Sequence, residues 1–132
     1  MKSGQIIIAV LLIFVILSLV MAGVLSIWEQ NIRKVGAQIG EKQALYIAEG
    51  GAEIGICSAI WTDNPTSFTI SANVTETGSL GRYTVSFFWY SPTFEIVSTG
   101  TVGVWSRTLR IEGQRSGTYT PYIINITLWS EE

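Results

Sequence analysis

The sequence predicts an α+β protein: a long N-terminal helix, half of it membrane-length and half amphipathic, packed on a C-terminal antiparallel sheet of four or five strands. Three observations carry this. Ile6 to Ile27 reads IIIAVLLIFVILSLVMAGVLSI, with no charged residue. No proline occurs between Met1 and Asn64, so nothing forces the backbone out of a helix. After Asn64-Pro65, a stop-and-turn signal, the apolar spacing changes from helical period to alternation.

The elements follow in order. As a helix, the 22 residues from Ile6 to Ile27 span roughly 33 Å, enough to cross a hydrocarbon core of about 30 Å. A cleaved secretory signal would need a shorter apolar stretch of about 7–15 residues and a small-residue cleavage site. A secreted β domain with such a signal would begin beyond Gly23. Lys2 and the α-amine on one side balance Arg33 and Lys34 on the other, so charge alone does not orient the span. The Ser/Thr-rich, strand-rich remainder reads as an exported domain, and this favours a cytoplasmic N-terminus. The predicted organisation is 1–4 leader, 5–27 transmembrane and assembly helix, 28–61 amphipathic helix and 62–132 antiparallel β domain.

Within 28–61, Trp28, Ile32, Val35, Ile39, Tyr46, Cys57 and Ile60 fall in a narrow arc at 100° per residue. Gly36, Gly40, Gly50, Gly51 and Gly55 each cost about 1 kcal/mol relative to Ala in a helix interior. Two spacings, Gly36/Gly40 and Gly51/Gly55, allow close backbone approach, and Gly50-Gly51 equally reads as a kink. Strands are predicted at 68–74, 82–90, 94–99, 106–112 and 119–129, with Gly78 and Gly81 bracketing a turn and 100–105 a Gly-containing connection. On the second strand Tyr83, Val85, Phe87 and Trp89 share a face. A single sheet needs a cover for its apolar face and the helix arc needs a partner, so Ile39, Tyr46, Ile60 and Trp61 are expected to pack on Val85, Phe87 and Trp89. The expected outline is a lollipop.

Composition excludes several chemistries. The 132 residues contain no His and one Cys, which removes His-based triads, HExxH zinc sites, internal disulfides and CxxC knuckles. No catalytic residue, metal ligand or cofactor-binding residue stands out, and the chain reads as a structural protein without a cofactor. Of eight basic residues only Lys2 precedes the apolar run, leaving seven against ten acidic ones, so no nucleic-acid partner is expected. Glu49 and Glu53, one helical turn apart, read as a solvated face, or with Lys42 as inter-subunit contacts flanking the arc. Cys57, on the arc, is expected to be buried as a small hydrophobe. Tyr119, Tyr122, Ile124, Ile126 and Trp129 are candidate anchors of the C-terminal region. Trp89, Tyr90, Trp105 and Trp129 are expected mostly in the core. The sequons at Asn73 and Asn125 carry little weight in Thr-rich β sequence.

The leader Lys2-Ser3-Gly4 followed by Gln5 and an apolar helix resembles the processing site of type IV pilins and pseudopilins. The stretch EKQALYIAEGGAEIGI, 41–56, resembles a segment of PilX-type minor pilins, and GRYTVSFFWY, EIVSTGTVG and RTLRIE resemble their sheet. The resemblance implies cleavage after Gly4 by a prepilin peptidase and methylation of the new amine on Gln5. It also implies assembly through Ile6, Ile7, Ile8, Ala9, Val10 and Phe14. Its partners would be other pilin subunits, the peptidase, the membrane and a pilus or type II secretion assembly machinery. The precursor would reside in the cytoplasmic (inner) membrane, and the product in a cell-surface or extracytoplasmic filament.

One position departs from the family. Ala9 stands where pilins usually carry the Glu that pairs with a neighbouring subunit's amine, an absence shared by tip-located pseudopilins. A minor or tip-associated subunit is the resulting expectation. The alternative is an unprocessed single-pass membrane protein whose small extracytoplasmic β domain binds a ligand or partner.

Overall fold

A computed structural model describes residues 2–63, 65–75, 79–118 and 120–132, with the side chains of Lys2, Ser3 and Ser79 outside that description. Without an internal proline the helix propagates uninterrupted: α1 runs Lys2–Trp61, 60 residues, straight through Gly50-Gly51, which makes no break. Five strands follow: β1 (Phe68–Thr75), β2 (Ser79–Tyr90), β3 (Thr93–Val102), β4 (Trp105–Ser116) and β5 (Ile123–Glu131). They form one antiparallel sheet in the order β1-β2-β3-β4-β5, a meander of sequential neighbours. The α+β architecture read from the sequence is therefore the architecture of the chain. The chain divides into two compact units, Met1–Ala37 and Gln38–Glu132.

β2, β3 and β4 are longer than predicted because Gly81 and Gly100, read as a turn and a connection, and Gly113, just past the predicted end of the fourth strand, lie inside them, while β5 is shorter than predicted. Gly81 sits in β2 opposite Val74, Gly100 in β3 opposite Arg107, and Gly113 in β4 opposite Ile126. The expected connection at 100–105 shrinks to a two-residue turn, Gly103-Val104, between the paired residues Val102 and Trp105. Gly103 there has φ +58°, a conformation other L residues adopt at a cost. Gly78, expected at a turn, lies outside the described residues.

In the second unit the sheet's inner face alternates as predicted. Val85 and Phe87 of β2 are buried, joined by Phe94 and Ile96 of β3 and Leu109 and Ile111 of β4. Phe87 stacks on Phe68, Phe94 and Trp89, with ring centroids 5.2, 6.1 and 6.5 Å apart. Each such large side chain, once buried, contributes roughly 1.5–3 kcal/mol.

The helix face that covers this sheet is not the expected one. Ala44, Ala48, Ala52 and Ala59 are fully buried against it, together with Gly40, Gly51 and Gly55. Ile39, Tyr46 and Trp61, expected to pack on β2, are instead 52%, 66% and 65% exposed, and Ile60 is only half-buried. Cys57, expected in the core, is exposed. The reason is distance. A Cβ added at Gly100 would collide with the backbone carbonyl of Ala44 and lie 2.5 Å from the amide nitrogen of Ala48. One added at Gly51 would meet Ser98 Oγ at 2.5 Å and Val85 Cγ2 at 2.8 Å. At this separation only small residues fit at the closest contact between helix and sheet; Ile56, half-buried, still packs against the core, while Ile39, Tyr46 and Trp61 face away. Ser98, the buried polar residue of β3, donates its hydroxyl to the Ala48 carbonyl at 2.6 Å and fixes the pair in register.

Other elements complete this unit. The backbone amide of Tyr122 donates to the Ile60 carbonyl at 3.0 Å, and Ile124 packs on the core, both as anchors of the C-terminal segment. Ile126 and Trp129, proposed for the same role, are exposed, and Tyr119 lies outside the described residues. Of the aromatics expected in the core, Trp89 and Trp105 are half-buried while Tyr90 and Trp129 are exposed.

Substituting a glycine of β3 that meets the helix backbone and one on the outer face of the helix should have opposite signs. Gly100→Ala is expected to lower stability by about 1–3 kcal/mol, because the backbone it meets cannot yield. Gly50→Ala, which meets nothing within 4 Å, is expected to raise stability by about 0.5–1 kcal/mol. Denaturant unfolding of the full chain in detergent, followed by near-UV circular dichroism, measures both.

Candidate functional site: an uncovered helix face and the β4 arginines

In the first unit every described side chain from Gly4 to Gly36 is exposed, including Ile6, Ile7, Ile8, Ala9, Val10 and Phe14. An all-round apolar surface on a helix matches a lipid-like surrounding rather than water. Among the described residues α1 is the one helix long and apolar enough to cross a membrane. Gly4 and Gln5 lie in the first turns of α1. Gly4, about 1 kcal/mol worse than Ala as a helix former, weakens this end of the helix. Met1 and the side chains of Lys2 and Ser3, the rest of the leader, are outside the described residues.

In the second unit the helix turns one face to the sheet and the opposite face outward. Ile39, Tyr46, Ile54, Cys57 and Trp61 are all exposed on this outer face, spaced seven, eight, three and four residues apart. The predicted arc is thus real, but the sheet does not cover it. Lys42, Glu49 and Glu53 follow the same period along one flank of the arc. Lys42 and Glu53 are exposed and Glu49 is half-buried, and none of the three makes an ion pair with another described residue. The structure aligns these three predicted contact residues in one row without bringing their charges together.

The sequence reading passed over the arginines of β4. Arg107 donates to Glu41 of the helix at 2.7 Å and lies 3.8 Å from Glu131 of β5, a tie across three elements. Arg110 stands between Glu95 and Glu112, at 3.0 and 2.9 Å, and separates two carboxylates that the register places directly opposite each other. Arg115, only 8% exposed, sits with its guanidinium 3.2 Å from the centroid of the Tyr122 ring and 5.3 Å from that of Trp89. The alternation of β4 carried a signal for them. Arg107 and Arg115 occupy the same face as Leu109 and Ile111, so charged residues bracket an inward-facing apolar row.

Among the described residues no group of three His, Cys, Asp or Glu side chains is placed to hold a metal ion. Clefts of about 270 Å³ beside Glu95 and Glu112 and about 340 Å³ beside Arg115 open on the sheet region. No family model, curated protein or solved structure matches the chain.

Two outcomes distinguish this arrangement from the one expected at the outset. Tyr46→Ser should change stability by less than about 0.5 kcal/mol, since the ring touches little that is buried. A thiol reagent such as Ellman's should modify Cys57 in the native protein at the rate of an exposed cysteine, without denaturant.

Proposed function

We propose that the chain is a structural subunit, minor or tip-associated, of a type IV pilus or a type II secretion pseudopilus. In this reading it is made as an inner-membrane precursor with a cytoplasmic N-terminus and cut by prepilin peptidase after Gly4. It then assembles into a cell-surface or extracytoplasmic filament through α1. The observation that carries the reading is the uncovered arc. A permanent tether needs an apolar surface only where it meets lipid, in the segment Ile6 to Ile27. Here apolar residues continue at helical period past that segment, at Trp28, Ile32, Val35, Ile39, Tyr46 and Trp61, all exposed. Apolar surface of this kind marks a site of association.

Polymerisation supplies a partner for both parts of the helix, exchanging lipid for neighbouring helices in the first and water for them in the second. Each large side chain so buried would add roughly 1.5–3 kcal/mol. The row Lys42, Glu49 and Glu53 borders that surface, where exposed charge pairs of about 0–1 kcal/mol would set register more than strength. Ala9 supports the minor or tip position. With a methyl in place of a carboxylate it offers a subunit ahead of it no counter-charge, while avoiding the roughly 2.5–3.5 kcal/mol that an acidic side chain costs near a bilayer centre.

The mature N-terminus tests the reading. Mass spectrometry of the native protein is expected to find Gln5 with a methylated α-amine; an intact Met1 start would sink the proposal in favour of a single-pass membrane protein. In the same cells Ile39→Asp is expected to leave the precursor folded and processed while removing it from sheared filaments. Wild-type protein should be a small fraction of those filaments, and an abundance above all other subunits would refute the minor or tip role.

A further inference from the structure

We propose that the outer face of the sheet, turned away from the helix, carries a binding site for a neutral sugar, a single pyranose ring of a glycan. A cleft of about 270 Å³ opens there where β3 begins and β4 ends, and Tyr90, Thr93, Glu95, Glu112, Gln114 and Thr127 are among the residues that line it. The alternation that sends Phe87, Phe94 and Ile111 to the core sends their neighbours in sequence outward. The register then sets those neighbours in two rows: Tyr90 opposite Thr93 and Thr93 opposite Gln114, with Glu95 opposite Glu112 beside them. Thr127 is the extra residue of a β-bulge, between Leu128 opposite Glu112 and Ile126 opposite Gly113.

The hydrogen bonds already made by this wall set the class of ligand. Thr93 and Thr127 commit their hydroxyl protons to backbone carbonyls, of Tyr90 at 3.1 Å and of Glu112 at 3.2 Å, and are left as acceptors. The carboxylates of Glu95 and Glu112 accept only, and each has room for up to about four hydrogen bonds. Their side chains stay 24% and 40% exposed. Against these acceptors the six residues offer the Gln114 amide and the Tyr90 hydroxyl as donors. Such a wall matches a ligand that brings several donors of its own. A cation is the poorer match, because the Arg110 guanidinium already lies 3.0 Å from Glu95 and 2.9 Å from Glu112 and neutralises one of the two charges. A polyol brings its donors without charge.

Tyr90 supplies the apolar half of the match. Its side chain lines the cleft yet is 61% exposed. A pyranose has the complementary character, C–H groups across one face and hydroxyls around its edge, so the ring of Tyr90 takes the face while the acceptors take the edge. The volume lies below the roughly 300–1,000 Å³ of pockets for drug-sized molecules and suits one sugar ring. Because this face is the one the helix does not touch, the site does not depend on assembly through α1.

Methyl β-glucoside, methyl β-galactoside, methyl α-mannoside and N-acetylglucosamine, titrated into the full chain in lauryldimethylamine oxide, a detergent without a sugar headgroup, test this. Binding is followed by the NMR signals of the Gln114 side-chain amide and the Tyr90 ring. At least one sugar is expected to give saturable shifts with Kd on the order of 1–10 mM. Cyclohexanol, which keeps a six-membered ring but has one hydroxyl, and butylammonium, which brings donors as a cation, are expected to bind at least about fivefold more weakly than that sugar. Tyr90→Ala, a change at an exposed side chain, is expected to weaken the best sugar by about fivefold or more, and Tyr90→Phe to hold it within about twofold. Three results overturn the proposal: no saturable shift with any of the four sugars up to about 100 mM, cyclohexanol or butylammonium binding as well as the best sugar, or a Tyr90→Ala protein that binds it like wild type.

Discussion

The separation between the helix and the third strand governs the rest of this protein. At Gly100 the strand presents no side chain, and the backbone of Ala44 and Ala48 occupies the space a Cβ would take. Ser98 then reaches the Ala48 carbonyl directly, a hydrogen bond available only at such short range. Ala44, Ala48, Gly51, Ala52, Gly55 and Ala59 are the residues that this spacing admits. Their small size is compensated by the sheet, whose Phe87, Phe94, Ile96, Leu109 and Ile111 supply nearly all the volume of the core. The glycines that weaken the helix by propensity are therefore repaid in packing.

An immediate consequence falls on the other side of the helix. A helix that gives its smallest residues to its own domain has its largest apolar residues left for something else. Tyr46 and Trp61, which in an ordinary helix-on-sheet domain would be the obvious knobs, point away from the sheet. Folding and association thus draw on opposite faces of one element. Either can change in sequence with little effect on the other.

How much of this was legible in the sequence depended on which physical signal was asked. Membrane-length apolarity, the proline-free stretch and the two-residue alternation of Tyr83, Val85, Phe87 and Trp89 are local signals, and they identified the helix, the meander and the inward face of β2. The helix face that docks was not legible from hydrophobicity. An arc of large residues outscored a stripe of Ala and Gly, although the stripe is what close approach demands. Gly81 and Gly100 read as a turn and a connection for the same reason: a missing side chain signals either a bend or a tight contact, and only the partner backbone says which. Arg115 was hidden by ending β4 at Glu112, whereas Arg107 lay inside the predicted strand and drew no notice beside its apolar neighbours. Carried on to Ser116, the alternation of β4 sets both arginines on the buried side, where Arg107 meets Glu41 and Arg115 meets Tyr122.

The meander has one further implication, and it concerns time. Every strand pairs with its neighbour in sequence, so each hairpin closes over a short loop. The helix contacts are different: Ser98 reaches back 50 residues to Ala48, and Arg107 reaches 66 to Glu41. A ribosome delivers the helix first, so its alanine and glycine stripe must stay unmatched until β3 and β4 have emerged. Small side chains make that interval tolerable, because a stripe of methyls and bare backbone offers passing chains far less to stick to than leucines would.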